Sequence, residues 1–143
     1  MLNRKCFGIK LVFRSGNTIK STLIKNSPLT KSGCIYKIPC KGCDKFYIGQ
    51  SGKSKDVRLK QHKYCVRTGN MSNALFVHIN NFDHMIGWNE AKEIVFCNNV
   101  MKRNIIESSI IKEFSNNLLN ISSGLYRLDD WLIKHVVKQL VFK

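Results

Sequence analysis

The chain has 143 residues and carries 24 Lys or Arg against 9 Asp or Glu, a formal net charge of +15 at pH 7, with 43% hydrophobic residues. That length fits one compact domain, two prolines and nine glycines exclude a collagen-like or low-complexity chain, and no apolar run approaches the ~20 residues of a membrane span. A charge well above the magnitude of about 2–8 usual for a small domain points to a polyanionic partner, nucleic acid before any other.

In chain order, residues 1–30 are basic and polar and read as an arm or a connector from a preceding domain, with 31–143 as the folded domain. The opening MLNRKCFGIKLVF is basic then apolar, but Lys10 and Arg14 interrupt it and no small-residue cleavage site follows, so no signal peptide is expected. Six cysteines without a secretory leader then argue for an intracellular chain and against a disulfide framework. From Gly33 the texture becomes β-rich. Residues 34–38 and 46–49, separated by the turn-forming Pro39-Cys40-Lys41-Gly42-Cys43-Asp44, predict a β-hairpin.

Residues 56–67 predict a helix stopped by Gly69, with Val57, Tyr64 and Cys65 on its inner face and Leu59 and Val66 flanking it. A short helix over 73–80 takes Ser72 as its cap. A third strand is predicted over 93–97. A helix follows over 100–114, capped by Asn98 or Asn99, with Ile105, Ile106, Ile110 and Ile111 as its apolar stripe. A last amphipathic helix runs from about 129 to 141. The order β-β-α-α-β-α-α predicts an α+β domain with a small antiparallel sheet.

Four groups of residues could carry chemistry. Tyr36 and Tyr47 lie on neighbouring strands, either as packing aromatics or as two phenols near one another, and Gly49 would let a backbone or a ligand approach closely. Arg58 and His62 lie one helical turn apart, so they are either a solvated face or an anion-stabilising fork beside a proton carrier. Glu107 beside the apolar stripe is a boundary residue or a ligand for a hard cation such as magnesium. Cys40 and Cys43, with His78 and His84, are either unrelated residues or a zinc set of two thiolates and two imidazoles. The 34 residues between Cys43 and His78 are too many for an ordinary zinc finger, so such a site would tie the hairpin turn to the second helix.

Cys34-Ile35-Tyr36, Tyr47-Ile48-Gly49, Arg58, His62 and Glu107, in this order over about residues 32–124, resemble the GIY-YIG nuclease domain. With Cys40, Cys43, His78 and His84, the string IYKIPCKGCDKFYIGQ is similar to the zinc-containing variant in Penelope-like retroelements. The glycine that opens the first motif is Cys34 here, with Gly33 just before it.

The resemblance implies a three-stranded, mainly antiparallel sheet flanked by helices, and a metal-dependent endonuclease that nicks DNA. Tyr36, Tyr47, Arg58, His62 and Glu107 would be catalytic, and Glu107 would hold magnesium, with manganese as a substitute. Gly49, Lys53, Lys60 and Asn120 would contact substrate, and zinc would be structural. It further implies a nuclear retrotransposon protein, linked to a reverse transcriptase and the element's RNA, that exposes a 3′-hydroxyl primer for integration. No membrane partner is expected. The alternative is a zinc-stabilised basic module that binds nucleic acid without cutting it.

Overall fold

Strand β1 (Cys34–Pro39) pairs with β2 (Phe46–Ser51) as an antiparallel hairpin in which Tyr36 faces Gly49 and Ile38 faces Tyr47. Its other edge pairs antiparallel with β3 (Lys92–Phe96), with an irregularity between Ile35 and Tyr36, so β1 is central in the order β2-β1-β3. The computed structural model describes residues 33–141, and the basic arm expected over 1–30 lies outside them.

A central strand covered on both faces must be apolar on both, and β1 is. Its period-two alternation sends Cys34, Tyr36 and Ile38 into one core with Leu59, Leu75, Ile86 and Leu119. Ile35 enters the other, with Ile48, Ile110, Ile111, Ile133 and Val137. Helices α1 (Lys55–Arg67) and α2 (Ala74–Phe82) therefore cover one face, and α3 (Val100–Glu113) and α4 (Asp130–Val141) the other. The fold is α+β: a three-stranded antiparallel sheet with four helices among the described residues, as the element order predicts.

Two local expectations are corrected. The first helix does not bury Val57 and Tyr64, which are 40% and 59% exposed. It buries Leu59 and His62 instead, because the turn carrying Arg58 and His62 is drawn toward Tyr36. The second helix is capped by Asn73 and not by Ser72: Asn73 Oδ1 accepts from the backbone N–H groups of Leu75 and Phe76 at 3.0 and 3.4 Å, which satisfies two of the donors orphaned at a helix start.

Beyond α3 the chain returns along the exposed side of β2. Leu118 bridges Phe46 in parallel, and Leu119 N–H donates to Phe46 O at 2.9 Å. Asn120 then completes the seal. Its Oδ1 accepts from Ile48 N–H at 2.9 Å and its Nδ2 donates to Ile48 O at 2.7 Å, so one side chain does the work of a strand neighbour. This closes an edge that would otherwise present unpaired main-chain groups.

Candidate functional site

Two separate clusters form where β1 meets the helices. The first centres on Tyr36, which is fully buried. Its Oη lies 2.8 Å from His62 Nε2 and accepts from Arg58 Nε at 3.3 Å. Burial, with a smaller contribution from the Arg58 charge, lowers the His62 pKa to about 4, so the ring is neutral at physiological pH. The helix cap then decides its tautomer. Because Asn73 Oδ1 is taken by backbone donors, Nδ2 is the atom facing His62 Nδ1 at 3.1 Å. His62 Nδ1 must accept, so its proton sits on Nε2 and is donated to Tyr36.

Tyr36 Oη thus accepts twice. Its own proton is left for Tyr47, whose hydroxyl hydrogen-bonds that of Tyr36 and whose ring lies 6.3 Å away between centroids. Burial pushes both phenols up, Tyr36 the more strongly, so both are protonated at neutral pH. The sequence leaves Tyr36 and Tyr47 either as packing aromatics or as two phenols near one another. The structure buries Tyr36 and leaves Tyr47 partly exposed.

Gly49 makes room for both phenols. A Cβ there would stand 2.5 Å from Tyr36 Oη and 2.8 Å from Tyr47 Cε1.

Glu107, on α3, belongs to this cluster. Burial pushes its carboxyl up, while the Gln50 backbone N–H and the Arg58 charge pull it down. Its charge in turn raises both phenols. It borders a cleft of about 360 Å³ with Gln50, Asn104 and Ser122. One carboxylate with neutral oxygen donors nearby suits a magnesium ion that keeps most of its water.

Arg58 borders a neighbouring cleft of about 380 Å³ with Lys53 and Gln61, and donates to Gln61 Oε1 at 2.8 Å. Lys60 is exposed on α1. Asn120 has both amide atoms engaged by Ile48, so its place is in the scaffold one residue from Gly49. Cys34 takes the strand pairing of any β residue, opposite Ser51 and Phe96, without a positive φ, and its Sγ donates to Lys53 O at 3.8 Å.

The second cluster is the four-residue set. Cys40 closes β1, Cys43 lies in the hairpin turn, His78 lies in α2, and His84 follows the left-handed Asp83 (φ 53°) that ends α2. His78 Nε2 lies 3.2 Å from Cys40 Sγ, 3.7 Å from Cys43 Sγ and 3.2 Å from His84 Nδ1. All four donor atoms fall within 4.8 Å of one another. Bonds of about 2.0–2.3 Å in a tetrahedron give donor separations of roughly 3.3–3.8 Å. The set can therefore hold a metal ion such as zinc. Main-chain bonds Lys41 N–H to Met85 O and Gly87 N–H to Pro39 O, both 2.8 Å, hold the two halves together.

Sequence reasoning missed Asn73, Gln50 and Arg103. The first is legible as a capping residue but not as the group that orients His62. The chain matches no protein-family model, no curated protein and no solved structure.

Proposed function

We propose that this domain is a metal-dependent DNA endonuclease that nicks by hydrolysis of a phosphodiester. The observation that supports this most is the convergence of Arg58, the Tyr36–Tyr47 phenol pair, a neutral His62 and Glu107 beside a cleft lined by cations. The ordered likeness to GIY-YIG nucleases, and to their zinc-containing form in Penelope-like retroelements, supports the same reading.

Arg58 has one N–H on Tyr36 and another on Gln61, which fixes its plane and leaves the rest of its fork for phosphate oxygens. There it neutralises the charge that builds in the transition state. Tyr47 orients the attacking water. Tyr36 and His62 behind it form a continuous hydrogen-bonded line that holds the phenol and shares its proton. Magnesium held by Glu107 would supply charge neutralisation on the phosphate and the leaving oxygen. Water adds across the P–O3′ bond and leaves a 5′-phosphate and a 3′-hydroxyl. In a nuclear retroelement protein linked to a reverse transcriptase, that hydroxyl serves as primer. Cys40, Cys43, His78 and His84 hold a structural zinc ion, whose softer ligand set separates it from the oxygen-ligated site.

Nicking of supercoiled plasmid with magnesium tests the proposal. Arg58→Ala and Glu107→Ala each lower the rate by about 10²–10³-fold, with DNA affinity nearly intact. Arg58→Lys also fails, since an ammonium does not reproduce the planar fork. Wild-type protein that binds DNA but never nicks it would establish the second reading, a zinc-stabilised basic binding module, and end the first.

A further inference from the structure

Arg103 is only 4% exposed, a buried cation in the first turns of α3. Its Nε donates to Gln50 Oε1 at 3.0 Å and its Nη1 to Cys97 O at 2.8 Å. Both partners are neutral. Two ion pairs among the described residues are Lys41–Glu90 and Lys112–Asp130, and neither involves Arg103. The chain makes room for it deliberately: Gly33 has φ +87°, and a Cβ there would stand 2.7 Å from Arg103 Nη1 and 2.5 Å from Cys97 O. Burying a guanidinium without a counter-charge is unfavourable, and a fold that only needed an amide clamp would be served by a neutral residue.

Arg103 borders the 380 Å³ cleft, whose lining contains no acid. The cleft lining holds three cations, Lys53, Arg58 and Arg103, with the amides of Gln50 and Gln61. Gln50 separates this cleft from the Glu107 cleft, which it also lines. Its side chain links Arg103 to Asn104, donating to Asn104 Oδ1 at 3.0 Å, while its backbone N–H serves Glu107.

We propose that Arg103 and Lys53 form a second phosphate-binding site, which takes the backbone phosphate next to the one held by Arg58 on the same nucleic-acid strand. The ligand class is a polynucleotide with at least two consecutive phosphodiesters, and the missing counter-charge of Arg103 comes from the substrate. This rests on the nucleic-acid reading of the Arg58 site but not on cleavage. Arg103 sets the register of the strand, and Gln50 transmits that register to Glu107.

The test uses the full chain and a DNA oligonucleotide in which single linkages are replaced, one at a time, by uncharged methylphosphonates. Binding is measured without magnesium, and KM and kcat with it. In wild-type protein, one linkage beside the scissile position weakens binding about tenfold when neutralised. Arg103→Gln weakens binding of unmodified DNA by a similar factor and lowers the salt slope by about 1. It also loses the methylphosphonate penalty at that linkage, and KM rises more than kcat falls. Arg103→Lys restores part of the penalty. Should Arg103→Gln fail to fold in a melting experiment, Lys53→Gln, an exposed position, decides by the same comparison. An unchanged penalty profile in these variants, or a flat profile in wild-type protein, overturns the proposal. Binding that follows the expected profile without any nicking leaves this site standing and removes only the nuclease reading.

Discussion

His62 makes the stability of the domain depend on pH in a defined direction. Its pKa falls from 6.5 to about 4 on folding, because burial and the Arg58 charge disfavour the imidazolium. Between these values the unfolded chain binds a proton that the folded one refuses, so stability falls as pH drops from 6.5 toward 4. The loss is on the order of 1–3 kcal/mol. Urea unfolding of wild-type and His62→Gln proteins across that window should give a difference that narrows with falling pH, and a constant difference would contradict a buried neutral ring. At this scale the sequence is informative where chemistry is unusual for its place. Tyr36, Tyr47, Arg58, His62 and Glu107 are singled out by their ordered resemblance to a nuclease motif, and the structure brings them together. Arg103 does not stand out, because an arginine early in a basic helix reads as solvated. Its burial depends on Gly33 and the Cys97 carbonyl, which become its neighbours only when β1 and β3 pair.

At the scale of elements, every predicted strand and helix is present, and the hairpin turn carries the bridge partner of Ile86 at Cys40. Strong signals explain this: β-branched and aromatic residues around a glycine turn, an asparagine before α3, and an isoleucine stripe. The inward face of α1 was illegible for a physical reason. Hydrophobic periodicity finds the side that avoids water, and this helix instead turns a hydrogen-bonded polar side to the core. The return of residues 118–120 along β2 was equally hidden, since a polar loop carries no pairing signal. Asn120→Asp tests its importance. The carboxylate cannot donate to Ile48 O, so two acceptors face each other at 2.7 Å in place of a hydrogen bond. Unfolding in denaturant should show a loss of about 1–3 kcal/mol, with nicking lost alongside because Gly49 follows Ile48.

For the whole molecule, the four-residue cluster would staple the hairpin to α2 once it holds a metal ion. Metal analysis should find one zinc per chain. A chelator should lower Tm by about 10 °C, and Cys43→Ser should give the same loss and make the chelator ineffective. Unaltered melting in chelator would show that the cluster holds no structural ion. The nine residues of α2 carry more than that staple. Asn73, before its first turn, sets the proton position on His62, and His78, in its second, belongs to the metal set. For a protein engineer the two sites are therefore not separable modules. A metal-free version would need an apolar plug in place of Cys40, Cys43, His78 and His84 that still presses α2 against β1. A graft of the cleft onto another scaffold would have to bring this helix with it.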